Sequence, residues 1–358
     1  MKENDFIYES NQLIDGKVKW IAPSNIALVK YWGKKSVQLP ENPSISFTLS
    51  DCFTETEVIY FTKKRKKEFV DFDYLFEGNP KKEFDFKIEL FFKRIYEYVP
   101  WVRNFYFQIK SKNSFPHSSG IASSASFMAS LSLCLMDIEK SLFPKMKLDY
   151  FNNKASFLSR LGSGSASRSI KGPICIWGSS PLLKNSNDYY AIEFGKNIHD
   201  IFKSYRDTIL IIDDKKKKIS SSMGHELMKN HPFSSQRIIQ SNKNIDSLMP
   251  ILKTGDLEGF VKIAEYEALS LHALMMTSNP SYILIKPETL YVINKIIDFR
   301  ETTKIPICFT LDAGPNLHLL YPENFSSKVL DFINYELINY CKNRKFILDK
   351  VGQGAKKI

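Results

Sequence analysis

The sequence predicts an α+β fold, and three observations carry that prediction. Strand patterns crowd the first half, helical patterns dominate the second, and the two never alternate as regular βαβ units. At 358 residues the chain is about twice a common single-domain length, so two domains are expected. Its 43% hydrophobic content is enough for each to bury a core. The boundary is expected between residues 180 and 205, giving domains 1–195 and 196–358.

Val18–Ala22, Ser44–Leu49, Thr56–Phe61 and Phe105–Ile109 carry alternating β-branched and aromatic residues and read as strands. An amphipathic helix interrupts them at Phe86–Tyr98, with Ile88, Phe91, Phe92 and Ile95 on one face. The Ser/Gly-rich stretch 113–126 leads into a second helix, where Phe127, Leu131 and Leu135 recur every fourth position. A third, Asn153–Leu161, stops at Gly162 and precedes an apolar strand, Pro173–Trp177. In the second half Ile209–Ile212 reads as a strand, and Lys215–Lys218 as an exposed hairpin turn leading to Ser220–Ser222. Helices are expected at Glu226–Leu252, Leu257–Met275, Thr289–Arg300 and Val329–Cys341, with strands at Ile307–Leu311 and Leu317–Tyr321. No internal repeat is visible.

Composition removes several classes of function. No apolar run reaches the length of a membrane span, and the polar start MKENDFIYES lacks the apolar core of a secretory signal, so a cytosolic protein without a membrane partner is expected. The five cysteines (Cys52, Cys134, Cys175, Cys308, Cys341) are scattered without a CxxC pair, which predicts buried reduced thiols and no structural zinc. The formal charge of +11 permits an anionic partner. Much of it sits in Lys63–Lys67, Lys81–Lys82, Lys215–Lys218 and Lys356–Lys357, without the exposed aromatics a nucleic-acid surface would interleave, so no nucleic-acid partner is expected. The histidines (His117, His199, His225, His231, His272, His318) form no HExxH pattern, and no GxSxG elbow exists.

Four segments carry candidate chemistry. FPHSSGIASSAS (115–126) puts small residues directly before a helix, where backbone N–H groups and the positive end of the helix dipole suit a phosphate; close packing uses the same residues. LGSGSASRS (161–169) joins an open Gly/Ser turn to Arg168, whose fork suits a carboxylate or phosphate, although such a turn also serves as a solvent loop. APSNIALVKYWGK (22–34) ends in Lys30, Tyr31, Trp32 and Lys34 near a Gly turn, which fits either a multiply charged anion or snorkelling lysines at a strand end. In FTLDAGPN (309–316), Asp312 follows an apolar strand, as a general base projecting into a cleft would, or as a turn-capping aspartate would.

Taken together and in this order, these stretches resemble the diphosphomevalonate decarboxylases of the GHMP kinase superfamily across nearly the whole chain. The matching segments are NIALVKYWGK (25–34), FPHSSGIASSAS (115–126), RLGSGSASRS (160–169), KISSSMG (218–224), ALSLHALMMTSNPSY (268–282) and FTLDAGPN (309–316). The resemblance implies a GHMP kinase fold, with an S5-like N-terminal domain, a ferredoxin-like C-terminal domain and an active site between them. It also implies a cytosolic homodimer that converts mevalonate 5-diphosphate and ATP, with Mg²⁺, into isopentenyl diphosphate, ADP, phosphate and CO2. By the same resemblance Asp312 would act on the C3 hydroxyl, Arg168 would grip the substrate carboxylate, and Lys30 would neutralise charge beside them. Tyr31, Trp32, Gly33, Lys34, Ser163, Gly164, Ser165, Ala166, Ser167, Ser220, Ser221 and Ser222 would line the substrate pocket. Gly120, Ala122, Ser123 and Ser124 would cradle the ATP phosphates, and no metal ligand can be named. The sequence departs from its relatives at Ser167, where many carry Cys, and at Ser222, where they carry Thr or Arg. An arginine that animal relatives place before a WLNG-like segment has no counterpart in 73–78. A mevalonate 5-phosphate decarboxylase and a mevalonate 3-kinase of the same fold remain open, as does, more remotely, a basic nucleic-acid-binding protein.

Overall fold

A computed structural model describes residues 1–63, 69–116, 121–181, 183–194, 197–215 and 219–358. The first half is built on a long antiparallel pair, β1 (Gly16–Val29) and β4 (Ser44–Thr62), separated by the small hairpin β2 (Lys34–Ser36) and β3 (Leu39–Pro40). Further strands are β5 (Asp71–Phe76), β6 (Asn79–Pro80), β7 (Phe105–Asn113), β8 (Ile174–Trp177) and β9 (Ile192–Glu193). Three helices pack with this sheet: α1 (Lys82–Ile95), α2 (Ser123–Leu142) and α3 (Leu148–Gly162). Their apolar faces bury Ile88, Phe91, Phe92, Leu131, Leu135, Phe157 and Leu158 against Val58, Phe105 and Phe107 of the sheet.

The second half holds a four-stranded antiparallel sheet in the order β11-β12-β10-β13. Its strands are β10 (Arg206–Leu210), β11 (Cys308–Leu311), β12 (Leu317–Tyr321) and β13 (Phe346–Lys350). Around it lie α4 (Ser221–Glu226), α5 (Ser234–Thr254), α6 (Leu257–Met276), α7 (Pro287–Thr303) and α8 (Ser326–Phe332). The last strand, β14 (Lys356–Lys357), returns to pair with β1, so the chain end belongs to the first sheet rather than the second.

The two halves share one apolar cluster. Ile26, Leu28, Ile45 and Phe47 from the first half pack with Tyr205, Ile209, Ile245 and Phe260 from the second. This explains the burial of β4. Ser44–Leu49 is buried at every residue because both faces are covered, whereas from Cys52 to Tyr60 only alternate residues are buried. On the open face of the sheet, Lys17 pairs with Glu57 (2.7 Å) and Lys19 with Glu55 (2.7 Å). All five cysteines are free and buried, as expected.

Several expectations change in detail. The two strands expected at Ser44–Leu49 and Thr56–Phe61 are one ladder. The polar Ser50 and Asp51 between them donate backbone N–H groups to the Asp349 carboxylate, which keeps the strand continuous. The long helix expected at Glu226–Leu252 is broken between α4 and α5, where Pro232 lacks the N–H a helix interior needs. Lys215–Lys218 does not join two strands, because Ser220 caps the start of α4; residues 216–218 themselves lie outside the described residues. Val329–Cys341 winds as α8, a π turn and a 3-10 turn rather than one regular helix.

Candidate active site

β1 ends at Val29, and the chain crosses toward the second half as Lys30-Tyr31-Trp32-Gly33. Lys30 is 1% exposed, which a snorkelling lysine would not be. Its Nζ donates to Asp312 Oδ1 at 3.0 Å, while the Asp312 side chain keeps 32% of its exposure. Burial pushes the Lys30 ammonium down from its ordinary range, and the Asp312 carboxylate opposes that shift. An opening on the acid side and a buried cation behind it make Asp312 an anchored but accessible carboxylate.

Asp312 is held by its backbone as well. Its carbonyl accepts from Gly314 N (2.7 Å) and from His272 Nε2 (3.1 Å), so the turn is closed by the main chain and by α6. Asn316 ties the far side of the turn to the end of β10, accepting from Ile212 N (2.7 Å) and Asp213 N (2.9 Å).

The backbone of Lys30 is fixed just as firmly. Its N–H donates to Glu267 Oε2 (2.8 Å), and its carbonyl accepts from Arg237 Nη2 (2.8 Å) and Asn42 Nδ2 (2.9 Å). The fully buried Glu267 carboxylate also accepts from Arg237 (2.7 and 2.8 Å) and Asn244 (2.5 Å). A buried charge persists only when paired and hydrogen-bonded in this way.

Arg168 is 2% exposed, at the end of the 3-10 turn Gly164–Ser169. Its guanidinium donates to Ser44 Oγ (2.5 Å), Ser46 Oγ (3.1 Å) and Asn25 Oδ1 (3.4 Å). Those three contacts leave two of the five guanidinium N–H groups for another acceptor. Burial pushes its pKa down to about 10, and the field of Asp312 works against that. The same field joins Arg168 to Lys30, so all three ionised groups act on one another.

Tyr31 packs its ring 4.7 Å from Trp177 and 4.3 Å from His225, and among the described residues its buried hydroxyl has no hydrogen-bond partner. Burial raises its pKa, keeping the phenol protonated as a donor. Trp32 packs against His225 in a tilted arrangement, with ring centroids 4.6 Å apart. Gly33 has φ +100°, a left-handed conformation that favours glycine, and its N–H donates to His225 Nδ1 (2.9 Å). Burial, with Lys34 nearby, holds His225 well below its usual pKa, so its one proton sits on Nε2.

In the 163–167 turn, Ser167 Oγ donates to the carbonyl of Gly164 (2.9 Å), a contact internal to the turn. Gly164 is obligatory, since a Cβ there would lie 2.8 Å from both the Tyr31 hydroxyl and the Trp177 ring. Ala166 is fully buried, and Ser163 and Ser165 are part-exposed at the turn surface. Ser220 caps α4 by accepting from Met223 N (3.2 Å), and Ser220, Ser221 and Ser222 are all exposed.

The small-residue loop after β7 ends at Ala122, in the left-handed region (φ 45°), and Ser123 and Ser124 open the 20-residue α2. Ser24 Oγ anchors this loop by donating to the Ile121 carbonyl (2.6 Å). The next residue, Asn25, holds Arg168, so one stretch of β1 supports both loops. Gly120 and His117 lie outside the described residues.

Sequence reading therefore brought forward the ionised centre but not its supports. Glu267, Arg237, Asn42, Ser44 and His225 carried no motif signal. A polar residue inside an apolar strand or helix run was the available cue, and it says nothing of its partner.

The description "Diphosphomevalonate decarboxylase-like N-terminal domain" matches residues 22–188, and "Mevalonate 5-diphosphate decarboxylase C-terminal domain" matches 208–356. The chain is 27% identical over 329 residues to a diphosphomevalonate decarboxylase of Ganoderma lucidum, covering 87% of this chain and 80% of that one. It is 24% identical over 304 residues to a phosphomevalonate decarboxylase of Haloferax volcanii, covering 84% and 87%. Among solved structures, mevalonate diphosphate decarboxylase from Staphylococcus aureus matches with TM-score 0.81 and 26% identity over 96% of this chain and 98% of that one. A complex holding MVAPP, AMPPCP and magnesium has the same fold, with TM-score 0.81 and 24% identity over 96% and 99%. With both halves matched in order and the fold shared end to end, the chain belongs to the diphosphomevalonate decarboxylase family of ATP-dependent decarboxylases.

Proposed function

We propose that this chain converts (R)-mevalonate 5-diphosphate and ATP into isopentenyl diphosphate, ADP, phosphate and CO2. The observation that carries the reading is the Lys30–Asp312 pair at 3.0 Å, formed across the two halves within the field of Arg168. A carboxylate and a carboxylate-binding guanidinium beside phosphate-suited turns match a substrate that carries a hydroxyl, a carboxylate and phosphates on one small skeleton.

Asp312 takes the proton of the C3 hydroxyl as that oxygen attacks the γ-phosphorus of ATP. The new O–P bond forms while the bond to the β–γ bridging oxygen breaks and ADP leaves. This turns a poor leaving group into a good one. The C3–O bond then breaks with its electron pair going to phosphate, and the bond to the carboxylate supplies electrons for the new double bond as CO2 departs. Lys30 aims Asp312, and once Asp312 has passed its proton to the phosphate leaving C3, its carboxylate faces the electron-poor carbon. Arg168 offers its two remaining N–H groups to the substrate carboxylate, while Tyr31, Lys34, Ser163, Ser165 and Ser220–Ser222 face the phosphates. Fixed geometry and oriented charge of this kind contribute several kcal/mol each, roughly 10²- to 10³-fold in rate.

Among the described residues no cluster of three or more His, Cys, Asp or Glu could cage a metal. Mg²⁺ arriving with ATP needs no such cage, because this ion keeps several waters and takes phosphate oxygens plus one or two protein ligands. Asp312 and the hydroxyls of Ser123 and Ser124 are the residues that would face it. Bound there, it would neutralise charge on the phosphate being transferred. The relative complex with MVAPP, AMPPCP and magnesium supports this reading. The likeness to a phosphomevalonate decarboxylase favours a second reading, in which the substrate is the 5-monophosphate. We also propose a homodimer, for which light scattering should give twice the chain mass of 41.4 kDa.

The deciding assay incubates the protein with ATP, Mg²⁺ and each mevalonate phosphate, measuring CO2 and ADP together. Equal amounts of both from the 5-diphosphate are expected. A clear preference for the 5-phosphate would establish the second reading, and ADP without CO2 would reduce the chain to a kinase.

A further inference from the structure

Two cations converge beside the substrate turn, and only one of them belongs to a recognised motif. Lys34 stands on the β2–β3 hairpin, which is tied to the end of α3 at several points. Arg160 Nη1 donates to the carbonyls of Val37 (3.2 Å) and Gln38 (3.4 Å), and Gln38 Nε2 donates to that of Gly162 (3.4 Å). Arg94, in the last turn of α1, reaches the same place and donates from Nη1 to the Leu161 carbonyl (2.9 Å), just before the Gly162–Ser163–Gly164 turn.

Lys34 lies within the field of Arg94. Burial lowers the pKa of Lys34, Arg94 lowers it further, and Glu226 acts in the opposite direction. Neither cation is neutralised by contact. Among the described residues Lys34 Nζ has no hydrogen-bond or ion-pair partner, and Arg94 holds a carbonyl but no carboxylate. Next to the turn lies the buried Tyr31 hydroxyl, also without a partner. Part-buried like charges and an orphaned buried donor are costly unless an anion completes them.

Resting on the reading above, we propose that Arg94 binds the terminal phosphate of the 5-diphosphate and sets the preference for a diphosphate over a monophosphate. Lys34, Tyr31 and Ser163 take the inner phosphate. Arg94 has a planar fork with most of its N–H groups uncommitted, which suits two oxygens of a terminal phosphate.

The test compares Arg94→Gln and Arg94→Lys in the full chain, using kcat/KM for mevalonate 5-diphosphate and 5-phosphate, KM for ATP, and Tm. For Arg94→Gln, kcat/KM with the diphosphate should fall about 10- to 100-fold, mainly through KM, the scale of a lost hydrogen bond to a charged group. The 5-phosphate should change by less than about 3-fold and ATP not at all, and Arg94→Lys should recover part of the loss. Equal losses on both substrates, or a lower Tm with unchanged KM, would make Arg94 only a cap on α3 and overturn the proposal. A wild type that uses the diphosphate beside an unaffected Arg94→Gln variant sinks this inference alone. A wild type that prefers the monophosphate sinks the functional reading with it.

Discussion

Asp312 is proposed as the carboxylate of this site because of what stands behind it. Lys30 is too buried to be shed to solvent, and its backbone is clamped by Glu267, Arg237 and Asn42. Asp312→Asn keeps the shape but removes the proton acceptor, so kcat should fall at least about 10³-fold while nucleotide affinity stays within about 2-fold. Stopped-flow nucleotide binding beside a CO2 assay checks both halves, and near-normal CO2 release would remove Asp312 from the chemistry. His225 gives a pH signature. Its folded pKa lies well below the ordinary 6.5, pressed down by burial and by Lys34, so between those two values the unfolded chain binds the extra proton. The contribution of His225 is therefore intact above pH 6.5 and is lost as pH falls below it, at up to about 1.4 kcal/mol per pH unit. Melting curves from pH 7.5 to 5.5 should show Tm falling. His225→Gln, whose amide oxygen can still accept from Gly33 N–H without titrating, should flatten that fall. Asp312 and Arg168 were legible in the sequence because each is the one ionisable group in a run of small or apolar residues. His225 was not, since its role depends on a backbone N–H far away in sequence.

At the scale of elements, the proposed site is a meeting of ends: the exit of β1, the turn after α3, the start of α2, the cap of α4 and the turn after β11. Loops and element ends tolerate the special geometry that binding requires, while the sheets and helices behind them stay fixed. The 163–167 turn shows how little room this leaves. Gly164→Ala would set a methyl 2.8 Å from the Tyr31 hydroxyl and the Trp177 ring, so Tyr31 must move. KM for the phosphorylated substrate should rise severalfold or more, with KM for ATP and the far-UV circular dichroism unchanged; an unaltered KM would detach Tyr31 from substrate binding. Periodicity gave the bounds of α6 well, and in α1 it gave the buried face of Ile88, Phe91, Phe92 and Ile95 but not the bounds, which are Lys82–Ile95 rather than Phe86–Tyr98. It failed where a polar break hides a continuous ladder, at Ser50–Asp51, or where Pro232 divides what reads as one helix.

Across the whole molecule, the two halves are joined by more than the apolar cluster around Phe47 and Phe260. Asp349, on β13, accepts from the backbone N–H groups of Ser50, Asp51 and Cys52 at 2.7 to 2.9 Å. Thr48 and Gly352 exchange two further bonds, and the chain end pairs with β1. Asp349→Ala strands three N–H groups at this junction and should cost about 2–4 kcal/mol. Calorimetry should then show the single transition broadening or splitting as the halves uncouple, whereas Asp312→Asn should melt as one unit. Retention of one sharp transition at the wild-type Tm would show that the apolar contact alone couples them.

The sequence by itself determined the α+β class, most helices and strands, and the residue types of the centre. Those depend on local patterning and on short motifs, which neighbouring residues specify. Only the tertiary structure decided that Lys30 meets Asp312, that Glu267 and His225 hold the strand exit, and that Arg94 reaches the turn after α3. These pairings join positions far apart in the chain, and burial gives them their strength, so no local pattern encodes them.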